Sequence, residues 1–156
     1  MITTIIFDLS RVLLFPKDKN YKGKLNALHK ELLRKSNYDV LEYFELNDEL
    51  LTYLAKSKGK VDLYVFTTGV IQNSPKIKNR LNKTFAGVFA AEDLGLDKKD
   101  PESYLSIAKK IGKSPTEILF VDDTIENVKA AKKAGFSVIH FETNAQFLKD
   151  LSIYII

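Results

Sequence analysis

Three acidic residues in this 156-residue chain follow apolar runs at positions where acids do chemistry. Asp8 comes directly after the β-branched and aromatic run from Thr4 to Phe7, and the pair Asp122-Asp123 directly after the run from Ile118 to Val121. A hydroxyl pair, Thr67-Thr68, closes a third run that begins at Val61. If these runs are parallel strands, their carboxyl ends lie along one edge of the sheet, where open α/β sheets collect their ligand groups. Asp8 is then a candidate nucleophile, and equally a helix-capping or turn aspartate. Capping of a helix that starts near Ile125 accounts for one acid of the Asp122-Asp123 pair but leaves the other without a role. Clustered carboxylates repel unless a proton or a cation compensates, and an all-oxygen donor set suits Mg2+. Such a cation would also join a negative nucleophile to a negative phosphate, a pair that otherwise repels.

The elements that must position these groups alternate in type. Strands are predicted over Thr4 to Phe7, Val61 to Thr68, Val88 to Ala90, Ile118 to Val121 and Ser137 to Phe141. Between them, apolar residues recur at helical spacing. Leu28, Leu32 and Leu33 form one such face, Leu50, Leu51 and Leu54 after a candidate N-cap at Asn47 a second, and Ile77, Leu81 and Phe85 a third. Pro101 to Gly112, Val128 to Ala134 and Ala145 to Leu151 complete the set. Pro16 to Lys24 reads as an exposed loop, and Glu92-Asp93 as an exposed acidic turn. Strands alternating with helices predict an α/β fold, a parallel five-stranded sheet covered on both faces and joined by right-handed crossovers. Nothing repeats, and a single domain over 1–156 is expected.

Composition narrows the chemistry further. There is no cysteine, which excludes disulfides, thiolate catalysis and zinc-thiolate sites. The two histidines, His29 and His140, show no metal-ligand spacing and read as surface or packing residues. The net charge of +4 comes mostly from scattered lysines. It favours anionic partners, while the absence of an arginine-rich or aromatic-interleaved motif argues against nucleic acid. No run approaches the length of a membrane span and no signal peptide is evident, so no membrane partner and a cytoplasmic location are expected.

Four stretches, FDLSRVL from Phe7, VFTT from Val65, KKDPESY from Lys98 and FVDDTIENVKAAKKAG from Phe120, resemble in order the four motifs of the haloacid dehalogenase-like hydrolases. The last is most similar to the sugar-phosphate phosphatase and dehalogenase branch. The resemblance implies a three-layer Rossmann-like sandwich with a short helical cap insertion at about 16–44. It implies Asp8 as the nucleophile that becomes an aspartyl phosphate, Thr67 as the hydroxyl that holds a phosphoryl oxygen, and Lys98 as the neutralising lysine, with Lys99 as its rival. It further implies Mg2+ held by Asp8, the backbone carbonyl of Ser10 and Asp123, with Asp122 as a second ligand or water holder.

Two positions depart from the family. Ser10 stands where its phosphatases carry the aspartate that protonates the leaving group, so that step should lose roughly 10²- to 10⁴-fold unless a nearby acid such as Asp18 substitutes. Arg11 replaces a usual glycine where the chain turns over the site, either to hold an anionic group or to point to solvent. The resemblance thus implies a hydrolase of a phosphate monoester or acyl phosphate, with a catalytically silent phosphate-and-magnesium binder and a dehalogenase-like hydrolase as alternatives. Its partner would be a phosphorylated small molecule or a larger phosphorylated molecule. The short insertion, with Tyr21, Tyr38, Tyr43 and Phe44 as its apolar body, predicts a site covered by a homodimer partner or by a large substrate.

Overall fold

A computed structural model describes residues 1–154. Its centre is a five-stranded parallel sheet in the order β5-β4-β1-β6-β7. The strands are β1 (Thr4–Phe7), β4 (Asp62–Thr67), β5 (Gly87–Ala90), β6 (Ile118–Asp122) and β7 (Ser137–His140). β1 lies between β4 and β6, with Phe7 opposite Val65 on one side and Val121 on the other. The chain therefore leaves β1 in one direction for β4 and β5, and in the other for β6 and β7. A crevice opens at such a reversal, outside the carboxyl ends of the strands.

The alternation of β1 assigns its side chains to two cores. Ile5 and Phe7 face α3 (Asp48–Lys56), α4 (Pro75–Thr84) and α8 (Asn144–Leu151), while Ile6 packs with Phe66 and Phe120 toward α6 (Pro101–Ile111) and α7 (Ile125–Lys133). Burial on both faces is why the strand reads as an unbroken apolar run. A helical turn, α5 (Ala91–Leu94), follows β5 where an acidic turn was expected; Glu92 and Asp93 are exposed on it, and Gly95 ends it at φ 64°.

The insertion differs most from its sequence reading. Leu14–Pro16 is a strand, β2, paired antiparallel with β3 (Phe44–Leu46), so the loop begins at Lys17 rather than Pro16. Leu14, Phe44 and Leu46 are buried, and proline is tolerated at the end of so short a ribbon. Three-residue strands carry too few alternations to announce themselves, and these partners lie far apart in the chain.

Between β2 and β3 come α1 (Leu25–Leu32) and the single turn α2 (Val40–Tyr43). On α1 it is His29, not Leu33, that turns inward, its Nδ1 2.9 Å from the Tyr38 hydroxyl, while Leu33 is exposed. Asn26 fastens α1 to the loop after β4: its Oδ1 accepts from the amides of Val70 and Ile71. A Cβ on Gly69 would meet the Asn26 side chain at 2.4 Å, so only glycine admits this contact. Asn47 caps α3 as expected, accepting from the Leu50 amide.

Candidate active site

Asp8 is placed by backbone bonding one residue beyond the paired part of β1, its amide donating to the Val121 carbonyl at 2.8 Å. The chain then coils tightly. The Leu9 carbonyl accepts from Val12, Leu13 and Leu14, and all four of those side chains are fully buried. This packing holds Arg11 at φ 62°, a left-handed conformation that side chains other than glycine's adopt at a cost of about 1 kcal/mol or more. Arg11 neither points idly to solvent nor stands unengaged: its Nη2 donates to the carbonyls of Tyr21 and Gly23 at 3.1 and 2.8 Å.

Lys98 bridges two strand ends. Its Nζ lies 2.8 Å from Asp8 Oδ1 and 2.9 Å from Asp122 Oδ2, with all three groups buried. Burial opposes the Lys98 charge, but the two carboxylates outweigh it and push the lysine above its ordinary range. The rings of Phe66 and Phe120 flank the ammonium at 5.4 and 5.5 Å. The loop that delivers Lys98 is fixed by Tyr104, whose hydroxyl donates to the Lys98 carbonyl at 2.6 Å, and by Ser103 Oγ, which accepts from the Asp97 amide. Lys99 is exposed.

Removing the lysine would leave two buried carboxylates facing each other. Lys98→Met is therefore expected to destabilise the fold by about 3–5 kcal/mol near neutral pH. The loss should shrink at pH 5, where protonation relieves the repulsion; urea denaturation at the two pH values checks this.

Asp122 is wholly enclosed. Beyond Lys98 it accepts from Asn127 Nδ2 at 3.0 Å and from the Thr124 amide at 2.8 Å. Neither acid of the pair caps α7; Thr124 is the N-cap residue, and its side chain makes no capping bond. Asp123 is half-buried at the cavity wall, and its carbonyl lies 2.8 Å from His140 Nε2. Burial pushes the Asp8 carboxyl up to about 7, with Lys98 opposing and Asp122 and Asp123 reinforcing the shift. Burial, then Asp122, pushes Asp123 up to about 6.

These groups suit a divalent cation. Oxygen atoms of Asp8, Asp122 and Asp123 lie within 4.8 Å of one another, with one lysine to balance three carboxylates. In the metal-free protein Asp8 and Asp123 keep protons that the unfolded chain gives up near pH 4. Their contribution to stability is therefore fully present at acid pH and lost as the pH rises through 6 and 7. Mg2+ should act in the opposite sense, because it competes with those protons. At a hundredfold excess over its dissociation constant it should raise the melting temperature by about 5–10 °C at pH 7.5 and much less at pH 5.5. Equal shifts at both pH values in calorimetry would sink this expectation.

A cavity of about 280 Å³ opens over Asp8 and Asp123, with Ser10, Arg11, Thr68 and Asn127 in its walls. The insertion closes one side through Lys22 to Asn26. Thr67 is buried at the end of β4 with a hydroxyl that has no hydrogen-bond partner, and it is Thr68 rather than Thr67 that reaches the cavity wall. Asp18 is exposed, accepts from the Asn20 amide and is absent from the cavity wall. The contacts of Tyr104 and His140 lay outside the sequence reading: Tyr104 entered it within the stretch KKDPESY and the helix from Pro101 to Gly112 with no role of its own, and a lone histidine carries no signal of what its ring will meet.

Among the described residues, no helix is long and apolar enough to cross a membrane. Residues 6–135 match the family model for a haloacid dehalogenase-like hydrolase. Flavin mononucleotide hydrolase 1 of Arabidopsis thaliana is 33% identical over 79% of this chain and 48% of its own length. Enolase-phosphatase E1 of Sulfurihydrogenibium is 36% identical over 51% of this chain and 36% of its own length. The matched stretches thus span less than half of either relative. In structure the chain is similar to a HAD family enzyme from Bacteroides thetaiotaomicron solved with magnesium and inorganic phosphate, with TM-score 0.69 and 18% identity over 92% of this chain and 96% of that one. That likeness concerns the fold. With the model spanning β1 through α7, and the carboxylates gathered at the carboxyl edge of the sheet, the chain belongs to the haloacid dehalogenase-like hydrolases.

Proposed function

We propose that this chain hydrolyses a phosphate monoester or acyl phosphate with the help of Mg2+, through an aspartyl phosphate on Asp8. The observation that carries the reading is the Asp8 carboxylate, buried and fixed 2.8 Å from Lys98 at the floor of a cavity that opens beside Asp123. Its relatives include named phosphatases, and a structural neighbour was solved with magnesium and inorganic phosphate.

In this reading an Asp8 carboxylate oxygen attacks phosphorus and the bond from phosphorus to the leaving oxygen breaks. Water then attacks the same phosphorus, which releases inorganic phosphate and restores the Asp8 carboxylate. Lys98 offsets the charge of Asp8 as the phosphoryl group arrives, and Thr67 donates its unused hydroxyl to a phosphoryl oxygen. Asp8, Asp123 and the Ser10 carbonyl would hold Mg2+, with Asp122 behind them, and the ion would draw charge from the phosphoryl oxygens. Asn127 and Thr124 keep Asp122 aligned.

Ser10 gives the reaction its limit. A serine hydroxyl neither gives nor takes a proton readily near neutral pH, so the leaving group must depart without protonation. Acetyl phosphate should be cleaved fastest, p-nitrophenyl phosphate next, and a simple alkyl phosphate slower than acetyl phosphate by about 10²-fold or more. Mg2+-dependent release of inorganic phosphate from the three tests the proposal. The same serine favours one second reading, a protein that binds phosphate and Mg2+ without turnover. No release from acetyl phosphate, together with bound phosphate, would establish it.

A further inference from the structure

The segment after β2 is built rather than loose. Arg11, held in its left-handed conformation, ties down the carbonyls of Tyr21 and Gly23, and the Tyr21 hydroxyl donates to the Lys24 carbonyl at 3.0 Å. Tyr21 lies so close over Gly23 that a Cβ there would meet its oxygen at 2.4 Å. The result is that Lys22 and Lys24 join Arg11 in the wall of the cavity that contains Asp8 and Asp123. Among the described residues none of these three cations pairs with a carboxylate.

Charge at the cavity then does not balance for a simple ester. On the reading proposed above, the floor carries three carboxylates against Lys98 and a divalent cation, and is neutral. A phosphate monoester brings two negative charges, whereas the wall offers three fixed positive ones. The cavity holds roughly nine water volumes, enough for a phosphoryl group and a chain of a few heavy atoms.

We infer that the substrate carries a second anionic group, a carboxylate or a further phosphate, a few bonds from its phosphoryl group, and that Lys22 and Lys24, braced by Arg11, receive it. Arg11 is a positioning residue in this scheme: it spends its Nη2 donor on the two carbonyls and sets where the lysines stand. The inference rests on the phosphate-site reading and extends it to substrate choice.

The test compares 3-phosphonopropionate with its uncharged amide of the same size, by titration calorimetry in Mg2+. Both have a phosphonate, so binding is read without turnover. The carboxylate should bind the unaltered protein about five- to tenfold more tightly than the amide. That ratio should fall to near one in the double variant Lys22→Ala/Lys24→Ala. It should fall likewise in Arg11→Gly, where glycine keeps the backbone turn but removes the brace together with its charge. Equal binding of the two compounds by the unaltered protein would overturn the second-anion site and leave the phosphate site standing, as would a ratio that survives the double variant. If neither phosphonate binds, the phosphate-site reading itself fails, and this inference with it.

Discussion

Asp8→Asn is expected to lower Mg2+-dependent hydrolysis of acetyl phosphate by about 10⁴-fold or more, while leaving the protein at least as stable as before in the absence of metal. The amide keeps the size of the side chain but cannot form the acyl phosphate, so the loss falls on the chemical step. The stability half of the expectation follows from the floor of the cavity. Near neutral pH three carboxylates share one lysine there, and Asp8 is held up to about 7 by burial that Lys98 only partly offsets. Replacing it with a neutral group removes one repelling partner and leaves Lys98 on Asp122 at 2.9 Å. Loss of activity with a retained or raised melting temperature therefore separates a missing nucleophile from a damaged fold. Hydrolysis that persists in this variant would remove Asp8 from the mechanism altogether.

Ser10→Asp should have the next largest effect, and in the opposite direction. Ser10 lines the cavity two residues beyond Asp8, and its backbone bridges to Leu14, so its position is fixed by the coiled turn rather than by its side chain. An aspartate placed there would share the cavity with Asp8 and Asp123. Like charges at close range raise a carboxyl pKa, which suits the new group to hold a proton and donate it to a departing alcohol. Hydrolysis of a simple alkyl phosphate should rise by about 10²- to 10⁴-fold, and that of acetyl phosphate, whose leaving group needs no proton, should change little. The ratio of the two rates is the readout, because a general change in folding or metal affinity would move both alike. An unchanged ratio would mean that some other group already supplies the proton, and Asp18, exposed and outside the cavity wall, is poorly placed for that role.

Much of the architecture was legible because its signals are local. Thr4–Phe7 and Ile118–Asp122 are buried on both faces, and that condition writes itself into the chain as an uninterrupted apolar run. Once such runs are parallel strands joined through helices, their carboxyl ends must lie on one edge, so the gathering of Asp8, Thr67 and Asp122-Asp123 follows from order and type alone. Asn47 at the start of α3 and Gly112 at the end of α6, where φ is 69°, were readable for a similar reason: a helix end needs its particular residue within one turn.

What remained hidden depends on contacts between distant segments. β2 and β3 are each three residues long and exist only because they meet, which no periodicity within either could reveal. Lys98 and Lys99 are adjacent and identical in type. The structure turns Lys98 inward because Tyr104 holds its carbonyl and two aromatic rings flank its ammonium. Arg11 offered two destinations to the sequence, an anion or solvent, and took a third, two backbone carbonyls more than nine residues ahead. By itself the sequence determined the sheet, the edge at which its acids gather and the types of group that reach it, because hydrophobic period and strand order act along the chain. Only the tertiary structure decided which lysine, which neighbours and which charges face the cavity, because those choices are settled by packing and hydrogen bonding between residues that the chain keeps far apart.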